Sequence, residues 1–156
     1  MPRILIIAYG NPLRSDDGVA WRAADLLAEK LPASDVEILR LHQLTPELAD
    51  TVREFQRVIF VDAASCEDSA AIPGEIHVEE VSADSNEPTR FSHAFSPQRV
   101  LALAVELYAA RPSAFLVTVI GGNFDHGDSL SPAVAASLPS LVATIERLRL
   151  RGPSRA

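Results

Sequence analysis

Short apolar runs alternate along this chain with longer segments in which apolar residues recur at helical spacing. The runs predict five strands, near residues 4–9, 36–41, 58–62, 75–80 and 115–120. Charged residues alternate with apolar ones in the fourth run, which is typical of an edge strand. Because strands and helices alternate, we expect an α/β fold, a three-layer helix–sheet–helix sandwich with a five-stranded, mostly parallel central sheet.

The expected helices are marked by start and stop signals. A first helix is expected over about residues 18–31, and a short one after Thr45-Pro46. A hydroxyl N-cap followed by proline recurs before a helix over about residues 97–110 and again at 131–132. Because Pro139 interrupts the last helical region, we expect only a short turn after residues 131–132 and a main helix from Pro139 onward. The inward side chains of these last two helices are expected to be Val100, Leu103, Ala104, Leu107, Leu141, Val142, Ile145 and Leu148.

Composition narrows the class of protein. The 156 residues carry a net charge of −7, with 47% hydrophobic residues, as expected of one domain over residues 1–150 and a flexible tail over 151–156. An acidic chain without a basic stripe argues against nucleic acid or a membrane surface as a partner. The single cysteine, Cys66, excludes an internal disulfide and is consistent with a cytoplasmic protein. We interpret the apolar start as structure rather than a targeting segment, because it runs directly into Gly10-Asn-Pro.

The first predicted strand leads into the most informative stretch of the sequence. Gly10, Asn11 and Pro12 end the strand, and two adjacent carboxylates, Asp16 and Asp17, come just before the first helix. In parallel α/β sheets, ligands bind at the carboxyl ends of the strands, so these acids are candidates for chemistry. The alternative is that they cap the helix and interact with its dipole.

Other polar residues are expected at the same edge of the sheet. Asp62 closes the third predicted strand, and the loop over residues 121–126 follows the fifth. Right-handed crossovers bring the loops after strands one, three and five to a common edge. His93 lies on a loop before a helix start. The ordinary alternatives are an Asp62 that tethers loop backbone and a His93 that is simply a surface residue.

Asp17, Asp62 and His93 together would form a mixed oxygen and nitrogen ligand set for a divalent ion. Such a set leaves open coordination positions and selects poorly among zinc, manganese and nickel. The sequence contains neither HExxH nor CxxC, and the first loop matches neither GxGxxG nor GxxxxGK. No serine has the GxSxG context of a nucleophile.

The motifs resemble those of the hydrogenase maturation endopeptidases over nearly the whole chain. The similarity lies in Gly10-Asn-Pro-Leu-Arg-Ser-Asp-Asp-Gly-Val19, Val61-Asp62-Ala63, Ser92-His93 and the region from Gly127 to Val134. Ala20 departs from the family, in which many members carry glycine, but the metal residues are intact.

The resemblance implies a helix–sheet–helix protease that removes a C-terminal peptide from a nickel-iron hydrogenase large-subunit precursor after nickel insertion. It implies that Asp17, Asp62 and His93 are the metal-contacting and catalytic residues, and that the nickel arrives with the substrate. Gly10, Asn11, Asp16 and Ser92 would support these residues or contact substrate, with Asp16 either capping the helix or orienting Asp17. We expect a cytoplasmic monomer without an organic cofactor.

Two other functional classes remain open from the residues. A non-catalytic nickel-binding chaperone would use the same ligands but would release no peptide. A metal-dependent hydrolase of small molecules would need a closed, ligand-sized pocket in place of an open groove.

Overall fold

The structure, a computed structural model, describes residues 3–65, 70–83 and 95–151. Helices and strands alternate along these residues as the sequence predicts. The strands are β1 (Ile4–Tyr9), β2 (Val36–Leu41), β3 (Arg57–Ser65), β4 (Ile76–Val81) and β5 (Ser113–Gly121). The helices are α1 (Val19–Lys30), α2 (Leu48–Val52), α3 (Pro97–Tyr108) and α4 (Pro132–Leu150), with a 3-10 turn (Ser15–Gly18) before α1.

The strands form one sheet in the order β2-β1-β3-β5-β4. Neighbouring strands are parallel except for β4, which pairs antiparallel with β5 at one edge. The charged sequence of β4 suits this position, because charges discourage an edge strand from pairing with another chain. The mostly parallel five-stranded sheet predicted from the sequence is therefore confirmed.

Two apolar clusters cover the two faces of the sheet. On one face, α1 and α4 pack over alternate residues of the central strands, among them Ile6, Ile59 and Val117. On the other face, α2 and α3 pack over the intervening residues, among them Ile7 and Phe60. Because successive strand residues point to opposite faces, the continuous apolar runs of β1, β3 and β5 supply both clusters. The result is the expected three-layer sandwich.

The prediction for the last helix was wrong, since α4 is continuous from Pro132 to Leu150 with Pro139 inside it. Proline removes one hydrogen bond of the helix ladder and costs a helix interior about 3 kcal/mol. Packing on both sides of the proline offsets that cost. Val134 and Leu138 pack against the sheet before it, and four buried apolar residues follow it, namely Leu141, Val142, Ile145 and Leu148.

Two smaller expectations are also corrected. β3 does not close at Asp62 but continues to Ser65, because residues 63–65 pair with β5. Leu107 is not inward: it is 61% exposed, because it lies in the last turn of α3, beyond the buried residues Val100, Leu101 and Ala104.

In the described part of the chain, no helix has the length and apolar character needed to span a membrane. The proposed division at residue 150 stays a prediction, because residues 152–156 lie outside the described residues.

Candidate active site

The order of the strands creates a crevice between the carboxyl ends of β1 and β3. β1 has β2 on one side and β3 on the other, so the chain leaves β1 and β3 in opposite directions across the sheet. Such a switch point is where parallel α/β sheets bind ligands. Asp17 follows β1 and Asp62 lies near the end of β3, so both predicted carboxylates belong to the residues that surround this crevice.

The turn after β1 fixes the position of Asp17. Gly10 has φ +143°, and a Cβ there would lie 2.2 Å from the carbonyl oxygen of Asp17, so a larger residue would push the two segments apart. The amide of Asn11 donates to Oδ2 of Asp17 over 2.7 Å. The carbonyl of Leu41 accepts from the Gly10 amide and from Trp21 Nε1, which fastens the turn to β2 and α1. Asp17 itself is only partly buried.

Asp16 has a different environment from Asp17, because its side chain is fully buried and faces the loop after β5. Its Oδ2 accepts from the amides of Gly122 and Asn123 over 2.8 and 2.9 Å. The amide of Ser131 donates to Oδ1 over 2.7 Å, and the Ser131 hydroxyl donates to Oδ2 over 2.8 Å. Burial alone would raise the pKa of this carboxyl, but the donors, led by Ser131, outweigh it and lower the pKa.

The expectation that Asp16 caps the first helix is therefore wrong. Neither the 3-10 turn nor α1 has a side-chain cap. The helix instead begins through the 3-10 turn, in which the amide of Val19 donates to the carbonyl of Asp16. The Asp16 carboxylate joins the loop after β1 to the loop after β5 and to the start of α4.

Further contacts join the same two loops. The amide of Ser15 donates to the carbonyl of Gly127, and its hydroxyl donates to the carbonyl of Asp125. Ser15 has φ +51°, a left-handed conformation that is unusual for a residue other than glycine. The amide of Gly127 donates back to the carbonyl of Leu13. The loop after β5 thus lies against the first loop, as topology predicted.

Among the described residues, Asp62 is the carboxylate whose pKa is shifted most. Burial raises its pKa to about 7, and the nearby charge of Asp17 also raises it. Two donors act in the opposite direction, namely the amide of Ala63, at 2.8 Å from Oδ1, and the hydroxyl of Tyr9. The pKa of Tyr9 is raised well above its ordinary value, first by burial and then by Asp62, so this hydroxyl keeps its proton. Asp17 and Asp62 are thus close enough to repel each other.

Tyr9 is a site residue that the sequence reasoning missed. Ala8 pairs with Val61, so the next residues, Tyr9 and Asp62, are neighbours at the ends of β1 and β3. Asp62 pairs in turn with Thr118. The alternation of side chains in β1, with Leu5 and Ile7 on the face covered by α2 and α3, could have placed Tyr9 on that face.

His93 and Ser92 lie outside the described residues. The start of α3, which follows them, is described: Ser96 is its N-cap, with its hydroxyl accepting from the amide of Arg99. α3 leads into the beginning of β5, so its own beginning faces the carboxyl edge of the sheet. Within the described ranges, no three histidine, cysteine, aspartate or glutamate side chains are grouped so that they could hold a metal ion.

Several solved structures of similar fold are hydrogenase maturation proteases. The HybD protease from Thermococcus kodakarensis is 25% identical, with a TM-score of 0.74, and the match covers 94% of this chain and 99% of that one. The hydrogenase maturating endopeptidase HybD from E. coli is 25% identical, with a TM-score of 0.76 and coverages of 96% and 94%. No protein-family model matches the sequence, and no curated protein matches it significantly. The resemblance carried by the sequence motifs is confirmed.

Proposed function

We propose that this chain, a peptidase of the hydrogenase maturation endopeptidase kind, removes the C-terminal extension of a nickel-iron hydrogenase large-subunit precursor after nickel insertion. The observation that carries the proposal is the convergence of Asp17 and Asp62 at the switch point of the sheet. Polar contacts hold the loop that carries Asp17 to the loop after β5 and to the start of α4.

Asp17, Asp62 and His93 would contact the nickel that the precursor carries. Two carboxylates that repel each other become favourable neighbours once a divalent cation lies between them, and carboxylate with imidazole is a ligand set that nickel accepts. Chain connectivity supports the third ligand. His93 is three residues from Ser96, so their Cα atoms are at most about 11 Å apart, and Ser96 is at the same edge of the sheet.

The chemistry required is hydrolysis of an amide. A divalent ion can polarise the carbonyl and lower the pKa of a bound water. The part of this chain is to position the precursor and to supply ionised carboxylates. Because the pKa of Asp62 is raised to about 7, its carboxyl must lose a proton before it binds the cation, and binding should release that proton near neutral pH.

We propose that the metal arrives with the substrate, because Asp17, Asp62 and His93 would bind a free ion only weakly. This donor set contains no thiolate, and its imidazole is supplied by a separate segment of the chain. We therefore propose that the chain carries little metal of its own and recognises the nickel bound to its protein partner. We also propose that it is a cytoplasmic monomer without an organic cofactor.

The test is cleavage of a purified precursor with and without nickel. Nickel-loaded precursor should be cut without added ion, whereas nickel-free precursor should resist even enzyme soaked in zinc. Asp17→Ala, Asp62→Ala and His93→Ala should each stop cleavage while the fold stays cooperative. Asp25→Ala is the matched control, because Asp25 is an exposed carboxylate paired with Arg40. Tightly bound stoichiometric zinc together with cleavage of nickel-free precursor would overturn the proposal, as would full activity in any two of the three variants.

A further inference from the structure

The ring of Tyr9 is held by the apolar layer beneath the site. It lies at the end of β1 and packs against the cluster that α2 and α3 cover, in line with Leu5 and Ile7. A tyrosine in this position has a fixed apolar body and a polar end that needs a partner. Strand pairing places the carboxylate of Asp62 beside that polar end, where it can accept the hydroxyl proton.

The strand register brings the hydroxyl to that carboxylate as a second possible donor. The first donor is the amide of Ala63, the next residue in the chain, which donates to Oδ1 of Asp62 over 2.8 Å. Tyr9 adds a donor from the neighbouring strand, across the β1–β3 pairing that defines the crevice. A carboxylate offers about four acceptor positions, so two anchors orient it and still leave positions for a ligand.

We propose that Tyr9 is a positioning residue for the reaction, one that orients the Asp62 carboxylate toward the cation carried by the substrate. The proposal rests on the function proposed above, in which Asp62 contacts that cation. Hydrogen bonds to ligating carboxylates typically affect metal affinity or activity by about 10–100-fold. Removing only the hydroxyl should therefore weaken the Asp62 contact while the ring keeps the apolar layer filled.

The first measurement compares Tyr9→Phe with Tyr108→Phe. The chain has two tyrosines, and Tyr108 lies at the far end of α3, where Arg53 stacks on its ring at 4.3 Å. Tyr9→Phe should lower the affinity of the isolated protein for Zn²⁺, and kcat/KM for nickel-loaded precursor, by about tenfold or more. Tyr108→Phe should leave both within twofold. Unchanged Zn²⁺ affinity in a folded Tyr9→Phe variant would overturn the proposal.

A second measurement keeps Tyr9 intact and does not depend on hydrogenase chemistry. With ¹³C at the phenol carbon of tyrosine, the two residues give two NMR signals, which the phenylalanine variants assign. The Tyr9 signal should move in Asp62→Asn and again when Zn²⁺ is added to the unaltered protein, whereas the Tyr108 signal should stay. If the chemical shift of Tyr9 is unchanged both in Asp62→Asn and on addition of Zn²⁺, the positioning role is refuted. If these responses appear but nickel-loaded precursor is not cleaved, the proposed function fails while the Tyr9 assignment stands.

Discussion

Asp16 is buried and Asp62 is half-buried at the same edge of the sheet, and the pKa values of their carboxyl groups are shifted in opposite directions. Asp16 receives four hydrogen bonds from the loop after β5 and the start of α4, and its pKa is lowered. Asp62 has two donors and a second carboxylate nearby, and its pKa is raised to about 7. Burial acts on both in the same sense, so the donors and the neighbouring charge decide the outcome. A carboxylate with its acceptors filled is part of the structure, and one with acceptors to spare can bind a ligand.

The largest effect is expected from Asp16→Ala. The substitution leaves the amides of Gly122, Asn123 and Ser131 without their buried acceptor, and hydrogen bonds to a charged group contribute about 1.5–3 kcal/mol each. We expect the free energy of unfolding to fall by about 4 kcal/mol or more in urea denaturation at pH 7. The control Asp25→Ala removes an exposed ion pair and should cost less than about 1 kcal/mol. A loss as small as that for Asp16→Ala would mean that the four hydrogen bonds to its carboxylate contribute little to stability.

The fold was largely predictable because local patterns and tertiary packing agree over most of the chain. Alternation marked β2, and apolar runs marked the buried strands. The failures occur where packing overrides a local signal. Pro139 predicts a break, but the residues on either side of it are held on the sheet. Residues 63–65 are small and resemble a loop in sequence, but they complete β3 because β5 extends beside them.

The positions of Asp17 and Asp62 were predictable, and the role of Asp16 was not. A turn after β1 and an acid near the end of β3 could be placed by topology alone. The role of Asp16 depends on partners more than 100 residues away in sequence, which no local pattern reveals. Tyr9 required the knowledge that β1 lies beside β3, since only that pairing brings its hydroxyl to Asp62.

The second largest effect is expected on activity. Substitutions of Asp17 and Asp62, the two carboxylates at the crevice, should reduce activity rather than stability, in contrast to Asp16→Ala. Asp62→Asn keeps the size of the side chain but removes the charge that a cation needs, so kcat/KM for nickel-loaded precursor should fall by at least about 100-fold. Asp17→Asn should act alike. Both variants should unfold cooperatively, with stability close to that of the unaltered protein or above it. A folded Asp62→Asn enzyme with more than a tenth of the normal kcat/KM would break the assignment of Asp62 to the site.

The dependence of stability on pH should distinguish Asp62 from Asp16. Between its ordinary value of 3.8 and about 7, Asp62 holds a proton in the folded chain but not in the unfolded chain. Its contribution to stability is therefore present below about pH 4 and lost as the pH rises through 7. Asp16 has a lowered pKa, so it stabilises the fold at pH values above the ordinary pKa of an aspartate. That contribution is lost as the solution is made acidic. Asp62→Asn should be more stable than the unaltered protein at pH 8, by about 1–3 kcal/mol, and equal to it near pH 4. An equal difference at both pH values would contradict the raised pKa.

The smallest effect is expected at Ser131. Its hydroxyl could stabilise the fold by donating to Asp16 or by capping α4, and substitutions distinguish the two. Ser131 is the N-cap residue of α4, but its hydroxyl donates to Asp16 and makes no cap bond to its own helix. Ser131→Ala removes one donor of four and should cost about 1.5 kcal/mol, the lower end for a hydrogen bond to a charged group, because Ser131 is only partly buried. At an ordinary N-cap, aspartate replaces serine well. Here Ser131→Asp would place a second carboxylate beside Asp16, so it should be less stable than Ser131→Ala, and the deficit should shrink as acid neutralises the pair. Urea denaturation of both variants at pH 7 and at pH 4 decides between the two explanations. If Ser131→Asp proves as stable as the unaltered protein, the hydroxyl matters only as a helix cap, and Asp16 does not depend on it.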